Sequence, residues 1–343
     1  MVIEGGYLRD ILDQPRALEA TALSLDVPPA LRTVADRMSS GGYERIVLTG
    51  MGSSYHALHP LHIGLVGAGF PAVMLETSEL ITSLSALLKP RTLFVVVSQS
   101  GASVEIVRLL DGIPAGGDVV GITNTVGSPL HTRATASVLT HAGLESTVSC
   151  KTYATALMAL AWLEAVLRND DLRSSKAELS SASNEAADYL RSWQSHVEIL
   201  KVELAGVRSL FFVGRGSSLA AAGTAGLTLK ESTRLHAEGM SSPAFRHGPF
   251  EMLAPDNFVA VFPGTGQTEA LNRRLYADIL AAGGRAALIT RDGNGPFAIP
   301  TAPESLRPIL EILPVQMISL ALASLGGFEA GRFIRASKIT LTE

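Results

Sequence analysis

The chain repeats itself, and that repetition constrains its fold more than any other feature. Arg45-Ile-Val-Leu-Thr-Gly-Met-Gly-Ser-Ser54 is answered 164 positions later by Ser209-Leu-Phe-Phe-Val-Gly-Arg-Gly-Ser-Ser218. Each is an apolar run that breaks into Gly-x-Gly-Ser-Ser and leads into an Ala/Leu-rich helical stretch. Thr92-Leu-Phe-Val-Val-Val-Ser-Gln-Ser-Gly101 is echoed 165 positions later by Asn257-Phe-Val-Ala-Val-Phe-Pro-Gly-Thr-Gly266, and Val120-Gly-Ile-Thr123 is echoed 167 positions later by Ala287-Leu-Ile-Thr290. A nearly constant offset over three strand–turn units means two copies of one α/β domain.

Within the first copy, Ile46–Thr49, Ala72–Leu75, Leu93–Val97, Val119–Thr123 and Ser137–Leu139 read as strands. Their Val/Ile/Leu runs lack polar alternation, as in parallel strands covered on both faces. Tyr7–Leu23 reads as an opening helix interrupted at Gln14-Pro15, and Tyr153–Leu167 as a long apolar helix. Arg173–Ala187 is Ser-rich but holds neither Pro nor Gly, so it reads as helix rather than tether. In the second copy, helices are expected over Leu219–His236 and Glu269–Ala282, the latter closed by Gly283-Gly284. The expected organisation is a helix over 1–29, a first domain over 30–170, a connecting helix over 171–204, a second domain over 205–330 and a tail over 331–343. The fold class is α/β, two tandem doubly wound parallel sheets of flavodoxin-like three-layer form, with ligand sites at the carboxyl ends of the strands.

Composition removes several classes of function. The 343 residues suffice for two full cores. A formal net charge of −4 with 17% charged residues lacks the basic footprint of a nucleic-acid binder. The single cysteine, Cys150, leaves no internal disulfide or cysteine-rich metal site. Met1-Val-Ile-Glu-Gly-Gly6 has neither the basic start nor the apolar core of a secretion signal. The uncharged run Ile312–Phe328 contains Pro314, Gln316 and Gly326-Gly327 between Glu311 and Glu329, which reads as a buried helix rather than a membrane span. A cytoplasmic protein without membrane or nucleic-acid partners is expected.

The chemistry-bearing residues collect at strand ends. Ser98-Gln-Ser-Gly-Ala-Ser103 follows one buried strand and precedes the helix Val104–Leu110, placing three hydroxyls and free backbone N–H groups at a helix N-terminus. That combination holds an anion without Lys or Arg. Ser53 and Ser54 open the neighbouring helix in the same way. A serine at such a position is also an ordinary helix cap, but two such loops on adjacent strands point to binding. No Gly-x-x-x-x-Gly-Lys-Ser/Thr occurs, and Gly50-Met-Gly-Ser-Ser-Tyr55 lacks the third glycine of a dinucleotide fingerprint. His56, His59 and His62 recur every third residue, yet Pro60 breaks the segment and no His-x-x-x-His pair exists, so no metal or cofactor is called for.

Thr49-Gly-Met-Gly-Ser-Ser-Tyr-His-Ala57, Ser98-Gln-Ser-Gly101, Lys151-Thr-Tyr153, Leu229-Lys-Glu231, His236-Ala-Glu238 and His247-Gly-Pro249 resemble the signatures of the SIS (sugar isomerase) domain family. They are similar to the isomerase half of glucosamine-6-phosphate synthase and to stand-alone phosphosugar isomerases and deaminases. The resemblance covers essentially the whole chain. It implies a sugar-phosphate substrate bound by Ser53, Ser54, Ser98, Gln99, Ser100, Ser103 and Ser149. It implies that Glu231 moves a proton between C1 and C2, work that suits a partly buried carboxylate. It further implies that His247 opens the sugar ring, often across a dimer interface, and that Lys338 forms a Schiff base with the open-chain sugar or holds its oxygen. His236 and Glu238 are expected to support the site through hydrogen bonds.

The chain departs from the synthases at several points. Thr228 stands where they carry a second lysine three residues before the glutamate, and Ser149-Cys150-Lys151 replaces Ser-Thr-Lys. Gly331-Arg-Phe-Ile-Arg335 replaces a tail segment rich in Asp, Pro and Asn. Val2 stands where a glutaminase would have its cysteine nucleophile, so no glutaminase activity is expected. The expected activity is a homodimeric phosphosugar isomerase/deaminase on an amino-sugar 6-phosphate, releasing ammonia. The alternatives are a fructosamine-6-phosphate deglycase and a non-catalytic sugar-phosphate-binding regulator. Retention of Glu231, His247 and Lys338 and the lack of a helix-turn-helix before residue 30 count against the regulator.

Overall fold

A computed structural model describes residues 3–335 and 338. The chain opens with α1 (Gly6–Leu12), α2 (Gln14–Ser24) and α3 (Pro29–Ser39). The first sheet region follows as β1 (Arg45–Gly50), α4 (Ser53–His56), α5 (His59–Gly67), β2 (Ala72–Glu76), α6 (Thr77–Thr82), β3 (Thr92–Val97), α7 (Val104–Gly112), β4 (Asp118–Thr123), α8 (Pro129–Arg133), β5 (Ala136–Leu139) and α9 (Lys151–Arg168). Helices α10 (Leu172–Leu190) and α11 (Trp193–Glu203) lead to the second region. There the elements are β6 (Ser209–Gly214), α12 (Leu219–Thr233), β7 (His236–Ser241), α13 (Ser242–Arg246), β8 (Asn257–Val261), α14 (Gly266–Ala281), β9 (Arg285–Leu288) and α15 (Arg307–Leu325).

Both sheets are wholly parallel, ordered β2-β1-β3-β4-β5 and β7-β6-β8-β9. In each, the chain passes to one side of the first strand and then crosses to the other, which makes the doubly wound topology with its crevice between β1 and β3, and between β6 and β8. The inner strands β1, β3, β6 and β8 are buried almost throughout, which is why they read as unbroken apolar runs. Val47, Phe94, Val96, Ile106, Leu109 and Val119 centre the first core, and Phe211, Val213, Phe245, Val259, Val261 and Leu275 the second.

Two compact units result. One gathers the chain up to Pro15, Glu145–Cys150 and the stretch from Ala182 onward; the other gathers Arg16–Leu144, Lys151–Ser181 and Lys338. Helix α1 thus groups with the unit of the second sheet. Tyr7 Oη lies 3.2 Å from Ser319 Oγ on α15, and the buried amides of Gln14 and Gln316 donate to each other at 2.8 and 3.0 Å. Helix α15 is the one helix among the described residues long and apolar enough to cross a membrane, and Pro308–Ala323 within it is buried in the protein.

The structure differs from the sequence reading at His236. The helix expected to run to that residue ends at Thr233, because Arg234 turns left-handed at φ 60°. His236–Ser241 is instead strand β7, in register with β6 from Ser209 to Gly214. As an edge strand with one neighbour it is half-exposed, so it tolerates the polar sequence His-Ala-Glu-Gly-Met-Ser that hid it. Among the described residues the second sheet has no counterpart of β5; beyond β9 an isolated bridge, Thr290 with Ala298, extends the edge.

Helix α12 lies on β7 with backbone against backbone. A Cβ on Gly226 would come within 2.5 Å of Gly239 N, and one on Gly239 would collide with the Ala222 carbonyl. Gly239→Ala is therefore expected to lower stability by about 3 kcal/mol, whereas alanine at Gly206, with φ 79° but open space around it, should cost about 1 kcal/mol through backbone strain alone. Chemical denaturation of the two variants checks this order.

Candidate functional site

In the first sheet, β1 ends at Gly50, where a Cβ would meet Ser54 C and Val97 O at 3.0 Å each. Only glycine lets the next turn press against the end of β3. Gly52, at φ 54°, then reverses the chain, and Ser53 and Ser54 open α4 half-buried. Their hydroxyls make no hydrogen bond among the described residues.

The loop after β3 is held open from below. The Gln99 carbonyl accepts from Asn124 N–H at 3.1 Å, Thr123 Oγ1 at 3.2 Å and Thr125 Oγ1 at 3.1 Å. Ser98 Oγ accepts the Gly101 N–H at 3.1 Å, Ser100 Oγ accepts that of Ala102 at 3.3 Å, and Gly101 takes φ 61°. Ser103 precedes the nine-residue α7 without its side chain capping it. The structure therefore brings Ser53, Ser54, Ser98, Gln99, Ser100 and Ser103 to the carboxyl ends of adjacent strands β1 and β3. The hydroxyls of Ser53, Ser54 and Ser103 are available to donate there, beside the N-terminal field of α7. That arrangement can hold a tetrahedral anion.

The remaining sequence-derived residues stand on other segments of the chain. Ser149 is half-buried in Glu145–Cys150, a segment held by Cys150 N–H donating to Glu145 Oε1 at 2.9 Å and Ser146 N–H donating to Asp10 Oδ2 at 2.6 Å. Lys338 is half-buried in the unit of the first sheet. His59 is mostly buried, and burial, with His56 and His62 close by, pushes its imidazole down to about 4, so it is neutral. It stacks on His56 with ring centroids 6.4 Å apart.

In the other unit, Glu231 sits half-buried in the last turn of α12. Ser232 and Thr233 donate their hydroxyls back to the carbonyls of Thr228 and Leu229, both at 2.6 Å. Thr228 itself is 2% exposed. The Ser232 carbonyl accepts Gly331 N–H at 3.3 Å, and the Tyr7 ring packs where a Cβ on Gly331 would lie. Burial raises the Tyr7 phenol well above its ordinary pKa, and neighbouring Cys150, Glu231 and Glu145 add to the rise. A protonated phenol thus stands near Glu231. Sequence reasoning missed Tyr7, because an aromatic on an opening helix carries no motif. His247 is exposed at the end of α13, its N–H bonded to Ala244 O. His236 Nε2 and Glu238 Oε1 pair with each other at 3.2 Å on β7.

The second copy of the Gly-Ser loop is arranged differently. Ser217 Oγ donates to Glu304 at 3.3 Å and Ser218 Oγ to Glu311 at 2.8 Å. Glu311 is fully buried, and burial raises its carboxyl to about 7 against the lowering effect of Ser218 and Arg307. Sequence reading placed Glu311 only as the flank of an apolar run.

A match to the family model described as the SIS domain covers residues 43–163 and 203–325. The chain belongs to the SIS domain family. Both matches fall on the two sheets, one per copy. The chain is 30% identical to glutamine–fructose-6-phosphate aminotransferase (isomerizing) of Pyrococcus horikoshii over 97% of its own length and 57% of that protein's. It thus spans under two thirds of this relative. The C-terminal domain of glucosamine-fructose-6-phosphate aminotransferase from Francisella tularensis superposes with a TM-score of 0.83 at 22% identity, covering 95% of this chain and 98% of that one. Glucosamine-6-phosphate deaminase from Thermotoga maritima superposes at 0.81 with 16% identity, covering 98% and 100%. These two likenesses establish the double-SIS fold.

Glu311 gives a pH prediction. Its folded pKa is raised, so the folded chain holds a proton that the unfolded chain loses near 4.5. Stability should fall as pH rises from about 4.5 through 7, by an amount on the order of 3 kcal/mol. The urea midpoint of the native chain should drop more between pH 5 and 8 than that of Glu311→Gln; parallel curves would contradict the assignment.

Proposed function

We propose that this SIS protein is a phosphosugar isomerase acting on an amino-sugar 6-phosphate, with ammonia leaving as the ketose forms. The observation that carries this reading is the cradle of undonated hydroxyls, Ser53, Ser54 and Ser103, at the strand ends of the first copy. Such a cradle suits a phosphate monoester, and the P. horikoshii relative is named for a hexose 6-phosphate.

The reaction follows from proton bookkeeping. His247 takes the C1 hydroxyl proton and returns one to the ring oxygen, giving the open-chain aldehyde. Glu231 removes the C2 proton, and the electrons move to the aldehyde oxygen, which takes a proton from water to give an enaminol. Return of a proton to C1 gives a C2 imine, which one water hydrolyses to the ketose phosphate and ammonia. Lys338 supports the charge that develops on the C1 oxygen, or holds C1 as a Schiff base. Ser98, Gln99, Ser100 and Ser149 complete the substrate contacts. We further propose a homodimer in which His247, exposed on its own chain, serves the partner's sugar.

Ammonia release from glucosamine 6-phosphate, with galactosamine 6-phosphate beside it, tests the activity. Glu231→Gln should lose about 10²- to 10⁴-fold in kcat while keeping phosphosugar binding, and Ser54→Ala should act chiefly on KM. Native protein that binds both sugars and releases no ammonia, yet cleaves a fructosamine 6-phosphate, would replace the deaminase with a deglycase.

Mixing inactive Glu231→Gln and His247→Ala chains tests the shared site. Under sharing, a mixed dimer has one site that collects both defects and one intact site, so about half of the native activity per mixed dimer should return. No recovery in dimers of proven mixed composition would contradict sharing.

A further inference from the structure

The two copies of the Gly-x-Gly-Ser-Ser loop share a backbone setting and differ in what their hydroxyls do. In the first, Ser53 and Ser54 are half-buried and their hydroxyls donate to nothing among the described residues. In the second, Ser217 and Ser218 are buried and their hydroxyls donate to Glu304 and Glu311. Glu311 reaches this loop from α15 and is 0% exposed. Its Oε1 takes the Ser218 hydrogen bond, while its Oε2 has no partner among the described residues.

The surroundings are those of an anion site. Ser218 directly precedes the 15-residue α12, whose N-terminal N–H groups favour negative charge. Arg307 lies one turn before Glu311, and the buried Nε atoms of Arg307 and Arg215 have no hydrogen-bond partner among the described residues. On the β8 side, a Cβ on Gly264 would sit 3.8 Å from the Ser218 hydroxyl, so the loops after β6 and β8 meet here as those after β1 and β3 do. Thr265 and Thr268 stand at the positions of Ser100 and Ser103 in the repeat. A buried carboxylate is costly and is retained where something compensates it. Here the Ser218 hydroxyl and the Arg307 charge offset part of that cost, and Oε2 stays unpaired among the described residues.

We propose that Glu311 is a built-in ligand: its carboxyl fills the anion site of the second copy, and its removal opens a second site for a phosphate monoester. This rests on the reading of the first copy as the phosphosugar site, and it makes the chain a one-site protein despite its duplication.

Equilibrium dialysis with labelled inorganic phosphate, counting phosphate bound per folded chain, tests the proposal. The native chain should bind one equivalent, Ser54→Ala should bind at least tenfold more weakly, and Ser218→Ala should still bind one. Adding Glu311→Ala to Ser54→Ala should restore one equivalent, and adding Ser218→Ala to that pair should remove it again. A folded Ser54→Ala/Glu311→Ala chain that takes up no phosphate would overturn the proposal, as would a native count that drops with Ser218→Ala. If circular dichroism shows that Glu311→Ala does not fold, the Ser218→Ala count decides alone. A native count of zero would remove the phosphosugar reading. The gain or absence of an equivalent in Glu311→Ala would then still decide the built-in ligand.

Discussion

Each sheet is organised around a glycine that ends its first strand and lets the next turn pack directly on the neighbouring strand. At Gly50 a Cβ would press on the Ser54 backbone and the Val97 carbonyl; at Gly214 it would press on Ser218 Cβ at 3.2 Å and Phe262 Cβ at 3.4 Å. Because the chain can close so tightly there, two serines follow at once, at the crevice where the strand order reverses. The parallel sheet supplies the crevice, and the glycine supplies the approach. The hydroxyl cradle and the start of α12 both depend on this contact.

Duplication under the same constraint has not produced two equivalent sites. The first copy keeps its hydroxyls open and the second turns them inward to two carboxylates, Glu304 in the turn before α15 and Glu311 on α15 itself. The second copy carries Glu231 in the last turn of α12, where the Ser232 carbonyl holds Gly331 against Tyr7. The glycine contacts between α12 and β7 fix where that turn lies. In the proposed reaction, the first copy binds the phosphate and the second carries the proton-transfer group.

The parts of the fold that were legible in the sequence are those set by local pattern. The inner strands are apolar throughout because both faces are covered, and Gly-Ser loops mark where they end. Strand β7 was not legible, since an edge strand with one neighbour needs no apolar run, and a left-handed Arg234 gives no sequence signal. The grouping of α1 with the unit of the second sheet rests on single long-range bonds such as Tyr7 to Ser319, which composition does not reveal. For the candidate site, Ser53, Ser54 and Ser98–Ser103 were readable from strand–turn–helix chemistry alone, whereas Glu231, His247 and Lys338 needed the family resemblance. Tyr7 and Glu311 escaped because their significance is burial beside a particular neighbour, a property of packing rather than spacing.

Central to this account is that the chain moves a proton between C1 and C2 of a sugar phosphate, with Glu231 as the base. Proton NMR of glucosamine 6-phosphate and fructose 6-phosphate incubated with the protein in deuterated water tests it most directly. The account predicts deuterium entering at C1 or C2 with the native chain and no exchange above background with Glu231→Gln. Tight binding of either sugar by the native chain with no exchange at those carbons would contradict it.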